Sequence, residues 1–352
     1  MEGNSDPIKQ QPDLAVSVVI PVYNVDKFLG EAVESVLDQK LQNFEIILVN
    51  DGSSDSSAEI CQKYASLDSR ILFLDQENSG VSVARNNGLA RAQGKYVYFL
   101  DSDDKLASDF LLSSFEIATQ QDSDIVIVGE HYCKRAARLT AVPTCALFIK
   151  RALLEAYSEI RFPSGIQPCE DGLFSHQLFL ITERIGFNPN GIYFYRNHEN
   201  QNHLRINQQT ARILKQIPKW LDLLDSFYSQ RDIFRSKALK LALFIEHEPF
   251  ELRYLSMSFD EDEKSKLFKL LRDFVAQHII VHLTKADKKL LTIPFKYFIK
   301  AKDHQDFDQF YEVYLKKRPE KFKRALFWVK FIPISVIRRR IRHNIRNKYN
   351  EV

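Results

Sequence analysis

Nowhere in the 352 residues does an apolar run approach the ~20 residues that a membrane-spanning helix needs. The longest candidate, Ala325 to Ile337, is interrupted by Lys330 and Pro333, so an integral membrane protein is not expected. Cysteine is sparse. Cys61, Cys133, Cys145 and Cys169 form no CxxC pair and no dense cluster, which reads as reduced thiols in a cytosolic protein. The amino-terminal stretch MEGNSDPIKQQPD is polar and acidic, unlike a signal peptide. Internal repeats and low-complexity tracts are absent. What remains is ordinary globular composition, 45% hydrophobic and 27% charged, at a length that predicts two or more domains.

The net charge of +3 conceals an asymmetry. Between Lys316 and Lys348 there are 13 Lys or Arg and one acid, Glu320, whereas the remainder holds 36 basic and 45 acidic residues. A split of this kind marks an interaction tail.

Three apolar runs each deliver polar or acidic residues at their carboxyl ends. They are SVVIPVYN (Ser17 to Asn24), EIILVNDGSSD (Glu45 to Asp55) and YVYFLDSDD (Tyr96 to Asp104). In an open parallel α/β sheet such ends converge on one crevice, where ligands bind. Between the runs, Phe28, Leu29, Ala32, Val33, Val36 and Leu37 recur at the spacing of one buried helical face, with Asn24 placed to cap that helix. A second helix begins at Asp55 to Ser57, Ile71 to Leu74 is a further strand, and a helix from Val81 to Ala92 stops before Gly94. Ile125 to Val128 and Ile192 to Tyr195 are later strands. This alternation predicts an α/β fold with a doubly wound, mainly parallel sheet. After residue 207 strand signals fade into helical spacing, as in Trp220, Leu221, Leu224 and Phe227. The expected organisation is a disordered leader at 1–14, a sheet-bearing domain at 15–207, an α-helical region at 208–315 and a basic tail at 316–352.

Two acidic clusters face the predicted crevice. Asp101, Ser102, Asp103 and Asp104 follow a strand, and Asp51 follows another. An Asp-rich turn or a helix cap would account for either. The chemistry they would also suit is a magnesium or manganese ion bridging a diphosphate, since hard cations take carboxylate oxygens and share the rest of their shell with water and phosphate. Gly80, after Asn78 and Ser79, would let backbone approach a phosphate at a helix start. Arg85 could meet a base or a phosphate, or simply sit solvated on its helix.

The order and spacing of VVIPVYN, ILVNDGSSD and NSGVSVARNNGLARAQGKYVYFLDSDD resemble the nucleotide-binding half of family 2 glycosyltransferases with the GT-A fold, over Val16 to Asp104. One departure is Asn50, where the family more often carries Asp. The resemblance implies that Pro21, Tyr23, Asn24, Asp51, Asn78, Gly80, Arg85, Asp101 and Ser102 bind a nucleotide sugar. It implies that Asp103 and Asp101 of the DXD motif hold Mn2+ or Mg2+. IRFPSGIQPCEDGLF (Ile160 to Phe174) resembles the family's Glu-Asp segment, which makes Asp171 the catalytic base with Glu170 in support. Two acids at a helix start favoured by the dipole are the alternative. YFYRNHENQNHLR (Tyr193 to Arg205) resembles the end of the catalytic domain, with His203 or His198 as a further metal or diphosphate contact. Gln216, Lys219 and Trp220 fall one residue short of the QxxRW motif of processive synthases, and Trp220 reads as core.

The implied activity is inverting, metal-dependent transfer of one sugar from a nucleotide diphosphate sugar, with UDP favoured, to a hydroxyl of a lipid-linked or surface glycan. A sugar-phosphate nucleotidyltransferase and a non-catalytic GT-A scaffold are the alternatives. The first would carry a Gly-rich, Arg-containing loop where Pro21 to Asn24 stand. In the tail, Phe322, Leu326 and Val329 share one helical stripe, and Ile337, Ile341 and Ile345 share another flanked by Arg338, Arg342 and Arg346. That pattern fits a helix lying on an anionic leaflet, so the expected partners include an anionic membrane surface and no nucleic acid. The expected place is the inner face of a bacterial cell membrane.

Overall fold

The computed structural model describes residues 14–135, 139–196 and 209–329. The expected leader, His198, His203 and the tail beyond Val329 lie outside the described residues. The chain divides into two compact units between Glu248 and Pro249.

In the first unit the apolar runs become strands because each is buried on both faces, as parallel strands covered by helices require. β1 (Val16–Val22) pairs in parallel with β2 (Phe44–Asp51), in register from Val16↔Phe44 to Val22↔Asn50. β3 (Ile71–Gln76) extends the sheet on one side of β2, and β4 (Tyr96–Phe99) lies on the other side of β1. The full order is β3-β2-β1-β4-β7-β6-β8, with β6 (Ile125–Val128), β7 (Leu147–Lys150) and β8 (Ile185–Asn188). Only β7 runs antiparallel, paired with β4 and β6. The sheet is thus mainly parallel, as its sequence predicts. The expected strand at Ile192 to Tyr195 is not part of it. β9 (Tyr193–Phe194) forms a separate two-stranded ribbon with β5 (Lys105–Leu106).

Alternation along the strands sends Val18, Ile20, Ile46, Leu48, Tyr98 and Val126 into one core with Leu29, Val33 and Val36 of α1 (Asp26–Leu37), Cys61 of α2 (Ser57–Leu67) and Phe110 and Leu111 of α4 (Phe110–Gln120). The other face receives α3 (Val81–Leu89). There a Cβ on Gly88 would stand 2.3 Å from Val19 Cγ1, so only glycine lets this helix lie so close to β1. α1 is not capped by Asn24 as expected. Asn24 adopts φ 51, its backbone N–H donates to Ser53 Oγ, and its side-chain oxygen accepts from the backbone N–H of Ser54 at 2.7 Å. The turn after β1 is thereby sewn to the turn after β2. Short helices α5 (Glu130–Cys133) and α6 (Arg151–Ala156) follow, helices Thr210–Gln230 and Phe234–Ile245 belong to the same unit, and Trp220 is buried there as read from its spacing.

The second unit is helical. Its core is aromatic, with Phe298 4.8 Å from both Phe250 and Phe268 and 5.3 Å from Phe307, ring centre to ring centre. Helix Glu261–Val275 opens on a reciprocal capping box between Asp260 and Glu263. No helix among the described residues is long and apolar enough to cross a membrane.

Candidate active site

The crevice opens where β1 outruns β4. The ladder between them ends at Val19↔Phe99, closed by the backbone N–H of Leu100 donating to the Val19 carbonyl. Beyond that point Pro21 keeps only its β2 neighbour, so its missing N–H costs no ladder bond on the β4 side. Pro21 is buried and Tyr23 is exposed.

On one side stands Asp51 at the end of β2. Its Oδ1 accepts from the backbone N–H of Ser79 at 2.8 Å and from Gln76 Nε2 at 2.7 Å, and its Oδ2 accepts from the backbone N–H of Gly80 at 2.9 Å. Asn78 Nδ2 donates to the Asp51 carbonyl at 2.9 Å. Gly52, at φ 68, has no room for a Cβ, which would lie 2.7 Å from Asn78 N. Asp51, Asn78 and Gly80 are therefore one assembly, in which the carboxylate shapes the loop that starts α3.

On the other side the DXD turn follows β4. Asp101 and Asp103 are half-buried, and Ser102 and Asp104 are buried. Asp104 accepts from Tyr193 Oη at 2.5 Å and from the backbone N–H of Arg196 at 2.7 Å, while Arg196 Nε donates to the Asp103 carbonyl at 2.9 Å. Burial lifts the Asp104 carboxyl to about 6 against those hydrogen bonds. Tyr193 and Arg196 belong to the segment singled out for its histidines, yet the tyrosine and arginine are what brace the acidic turn. The signal was the segment's adjacency to a strand that could return to the turn, which spacing alone does not reveal.

Arg85 joins the two acidic groups. It is 5% exposed, so the solvated reading does not hold. One terminal nitrogen donates to Asp101 Oδ1 at 2.9 Å, the other reaches Glu170 Oε1 at 3.5 Å, and the guanidinium lies 5.3 Å from the Phe162 ring centre. Its buried Nε has no hydrogen-bond partner among the described residues. Next along α3, Asn86 exchanges two hydrogen bonds with the backbone of Phe162, at 2.8 and 3.1 Å. Phe162 in turn stacks on Phe174 at 4.0 Å. α3 thus holds the chain that enters α7 (Glu170–Ile181), whose first turn carries both acids.

Asp171 is partly buried and accepts from the backbone N–H of Gly172 at 2.8 Å. Burial, then the neighbouring Glu170 charge, raise its carboxyl to about 7, with Arg85 opposing. Burial raises Glu170 as well. A carboxylate poised near neutrality can accept a proton and release it at working pH. Cys145 lies in the same electrostatic neighbourhood. Burial and the charges of Asp101, Asp171 and Asp104 push its thiol well up, so it stays protonated.

Among the described residues no three His, Cys, Asp or Glu side chains form a cation cage. The donor chemistry nevertheless fits a hard divalent ion. Asp101 and Asp103 flank a buried serine at the crevice edge, and two carboxylates leave the remaining positions to water and phosphate oxygens, as magnesium and manganese sites commonly do.

Residues 17–216 match the family described as "Glycosyl transferase family 2". The chain is similar to glycosyltransferase GlyA of Streptococcus pneumoniae, 29% identical over an alignment of 214 residues, with 52% of this chain and 31% of that protein covered. It is similar to the minor teichoic acid biosynthesis protein GgaB of Bacillus subtilis, 28% identical over an alignment of 296 residues, with 74% of this chain and 32% of that protein covered. The chain therefore spans about a third of the length of either relative. Among solved structures it resembles residues 1–349 of S. aureus TarS in complex with UDP-GlcNAc, with a TM-score of 0.67 at 18% identity, covering 86% of this chain and 92% of that one.

Proposed function

The chain belongs to glycosyltransferase family 2, and from that premise we propose that it transfers one sugar from a nucleoside diphosphate sugar to an acceptor hydroxyl, with inversion at the anomeric carbon. The observation that carries this reading is the Arg85 bridge, which joins the DXD turn to the acidic pair of α7. A donor-binding edge and a proton acceptor are thereby held in one rigid arrangement.

In the proposed reaction Asp171 takes the proton of the acceptor hydroxyl as its oxygen attacks the anomeric carbon and the bond to the diphosphate oxygen breaks. The raised proton affinity of Asp171 suits a general base, a role that contributes ~10²–10⁴-fold. Glu170, anchored by Arg85, keeps the first turn of α7 in place and adds negative charge beside the base. Asp101 and Asp103 are the residues that would hold magnesium or manganese, and such an ion, when bound, neutralises the departing diphosphate. The loop shaped by Asp51 would offer the Gly80 end of α3 to the nucleotide, together with Pro21, Tyr23 and Asn24 at the end of β1 and Ser102 in the DXD turn.

A uridine nucleotide is the favoured donor, supported by the fold shared with TarS in complex with UDP-GlcNAc. Assembly of a bacterial surface polysaccharide on a lipid-linked acceptor is the favoured setting, supported by the likeness to GgaB. The inner face of the membrane, reached through the basic tail, is where such an acceptor would be met. The deciding experiment screens nucleotide sugars for nucleotide release with manganese present, with Asp171→Asn beside wild type. Acceptor-dependent release from one donor, lost in the variant, supports the proposal. Pyrophosphate release from nucleoside triphosphate and sugar phosphate would replace it with nucleotidyl transfer.

A further inference from the structure

Within the second unit, residues 281–302 carry six lysines and a single acid, Asp287. The same stretch has both a buried and an exposed set of side chains. Leu283, Leu291, Phe295 and Phe298 are buried, whereas Lys285, Lys288 and Lys289 are exposed. Close to those lysines along the chain stand large apolar side chains that also face solvent: Val281 at 69% exposure and Leu290 and Ile293 at 53% each. Leu290 ends the short helix Asp287–Leu290, and Ile293 begins the helix Ile293–Phe298, so the two are separated only by the Leu291-Thr292 turn. Asp287 leaves a lysine excess of five, and its carboxylate accepts from the backbone N–H of Thr284 at 3.0 Å and from the Thr284 hydroxyl at 2.7 Å.

We propose that this surface of the second unit docks on an anionic lipid bilayer, as a contact built into the fold and distinct from the basic tail. Charge complementarity selects the partner. Clustered lysines are attracted to anionic headgroups, while apolar side chains standing among them enter the headgroup and acyl boundary. Lysine stems can lie along that boundary with their ammonium groups in the headgroups. A soluble polyanion would meet the lysines equally well, but it would leave Val281, Leu290 and Ile293 in water. The exposed apolar trio is therefore what favours a bilayer. The inference goes beyond the proposed transfer reaction and does not depend on it.

The test uses the full chain with vesicles of phosphatidylglycerol and phosphatidylcholine, and with soluble polyphosphate as a polyanion that has no apolar phase. Lys285→Glu, Lys288→Glu and Lys289→Glu together should weaken vesicle binding by roughly tenfold or more. Leu290→Ser with Ile293→Ser should also weaken vesicle binding while leaving polyphosphate binding as in wild type. Repeating both sets in a chain carrying Arg338→Ser, Arg340→Ser, Arg342→Ser and Arg346→Ser separates this surface from the tail. Melting temperature and sugar transfer to a soluble acceptor should hold throughout; a loss of transfer in wild type counts against the catalytic proposal alone. Vesicle binding that survives every substitution in both backgrounds overturns the inference. So does a loss caused by the lysine changes alone with no effect of the apolar pair, which would make the surface a polyanion site.

Discussion

Around Arg85 the carboxyl groups of Asp101, Glu170 and Asp171 share a small volume, and the protonation of Asp171 bears on both chemistry and stability. Asp171 binds its proton up to about 7 in the folded protein against 3.8 in its unperturbed state. The base form is therefore complete only above neutrality, and kcat/KM should climb with pH to a plateau past about 7. A limb near 4 instead would show that the titrating base is some other carboxyl. The linkage to stability has the opposite sense. Because the folded state holds this proton more tightly, its contribution is present below about 4 and is lost as pH rises through about 7. Asp171→Asn should thus melt above wild type at pH 8 and close to it at pH 4, even as turnover falls by ~10²–10⁴-fold. Arg85→Met leaves buried Glu170 without its partner, at a cost on the order of 3 kcal/mol in denaturant titration. It also removes the positive charge that opposes the Asp171 shift, so the activity limb in the variant should move to higher pH. An unmoved limb would mean that Arg85 is not what faces the base.

At the scale of elements, α7 is held from two sides. Its first turn is reached from α3 through Arg85, and its middle is tied to helix Thr210–Gln230 through His176. That histidine is fully buried, with Nδ1 2.8 Å from the Thr140 carbonyl and Nε2 3.0 Å from Tyr228 Oη. A carbonyl can only accept, so Nδ1 carries the proton and Tyr228 donates to Nε2 in the neutral ring. Burial lowers His176 to about 4 from 6.5. The unfolded chain takes up this proton first, so the stabilisation is complete above about 6.5 and is lost as pH falls through about 4. Melting temperature should decline across that window in wild type and decline less steeply in His176→Phe, which has no proton to bind. The variant would be less stable at neutral pH, since Tyr228 Oη and the Thr140 carbonyl lose their partner. Equal slopes in the two proteins would show that acid sensitivity arises elsewhere.

The whole molecule combines an acidic majority with a basic carboxyl-terminal segment. Chelation should stop nucleotide release, and manganese or magnesium should restore it. Asp103→Asn should raise the metal concentration needed for half-maximal rate, and a rate indifferent to chelator would remove the metal from the proposed mechanism. Truncation after Leu315 should weaken binding to anionic liposomes and make the residual binding easier to release with salt, while donor hydrolysis continues. Truncated protein that binds as tightly as the full chain would show that the tail is no anchor.

Much of the catalytic half was legible without coordinates, because the signals involved are local. Burial on both faces writes a parallel strand as an uninterrupted apolar run, as in Val16 to Ile20 and Ile46 to Val49. Helical burial writes itself as the spacing of Leu29, Val33 and Val36, and Gly94 marks where a helix has stopped. The convergence of Asp51 and Asp101 on one crevice follows from strand direction alone. What the chain's order could not decide was which distant residues meet. Four-residue β7 and β8 carry too little periodicity to be separated from loop or helix, and only pairing with β4 and β6 makes them strands. The Arg85 bridge spans 85 residues to Glu170, and Tyr193 reaches back 89 residues to Asp104. Nothing in the neighbourhood of Arg85 along the chain distinguishes a solvated helix face from a buried one. Whether its charge faces water or two carboxylates depends on where α7 and the DXD turn lie in space. The sequence by itself determined the parallel strands β1 to β4 and β6 and the acidic residues delivered to their ends; only tertiary packing decided the burial of the polar groups, and with it the proton affinities of Asp171, Asp104 and His176.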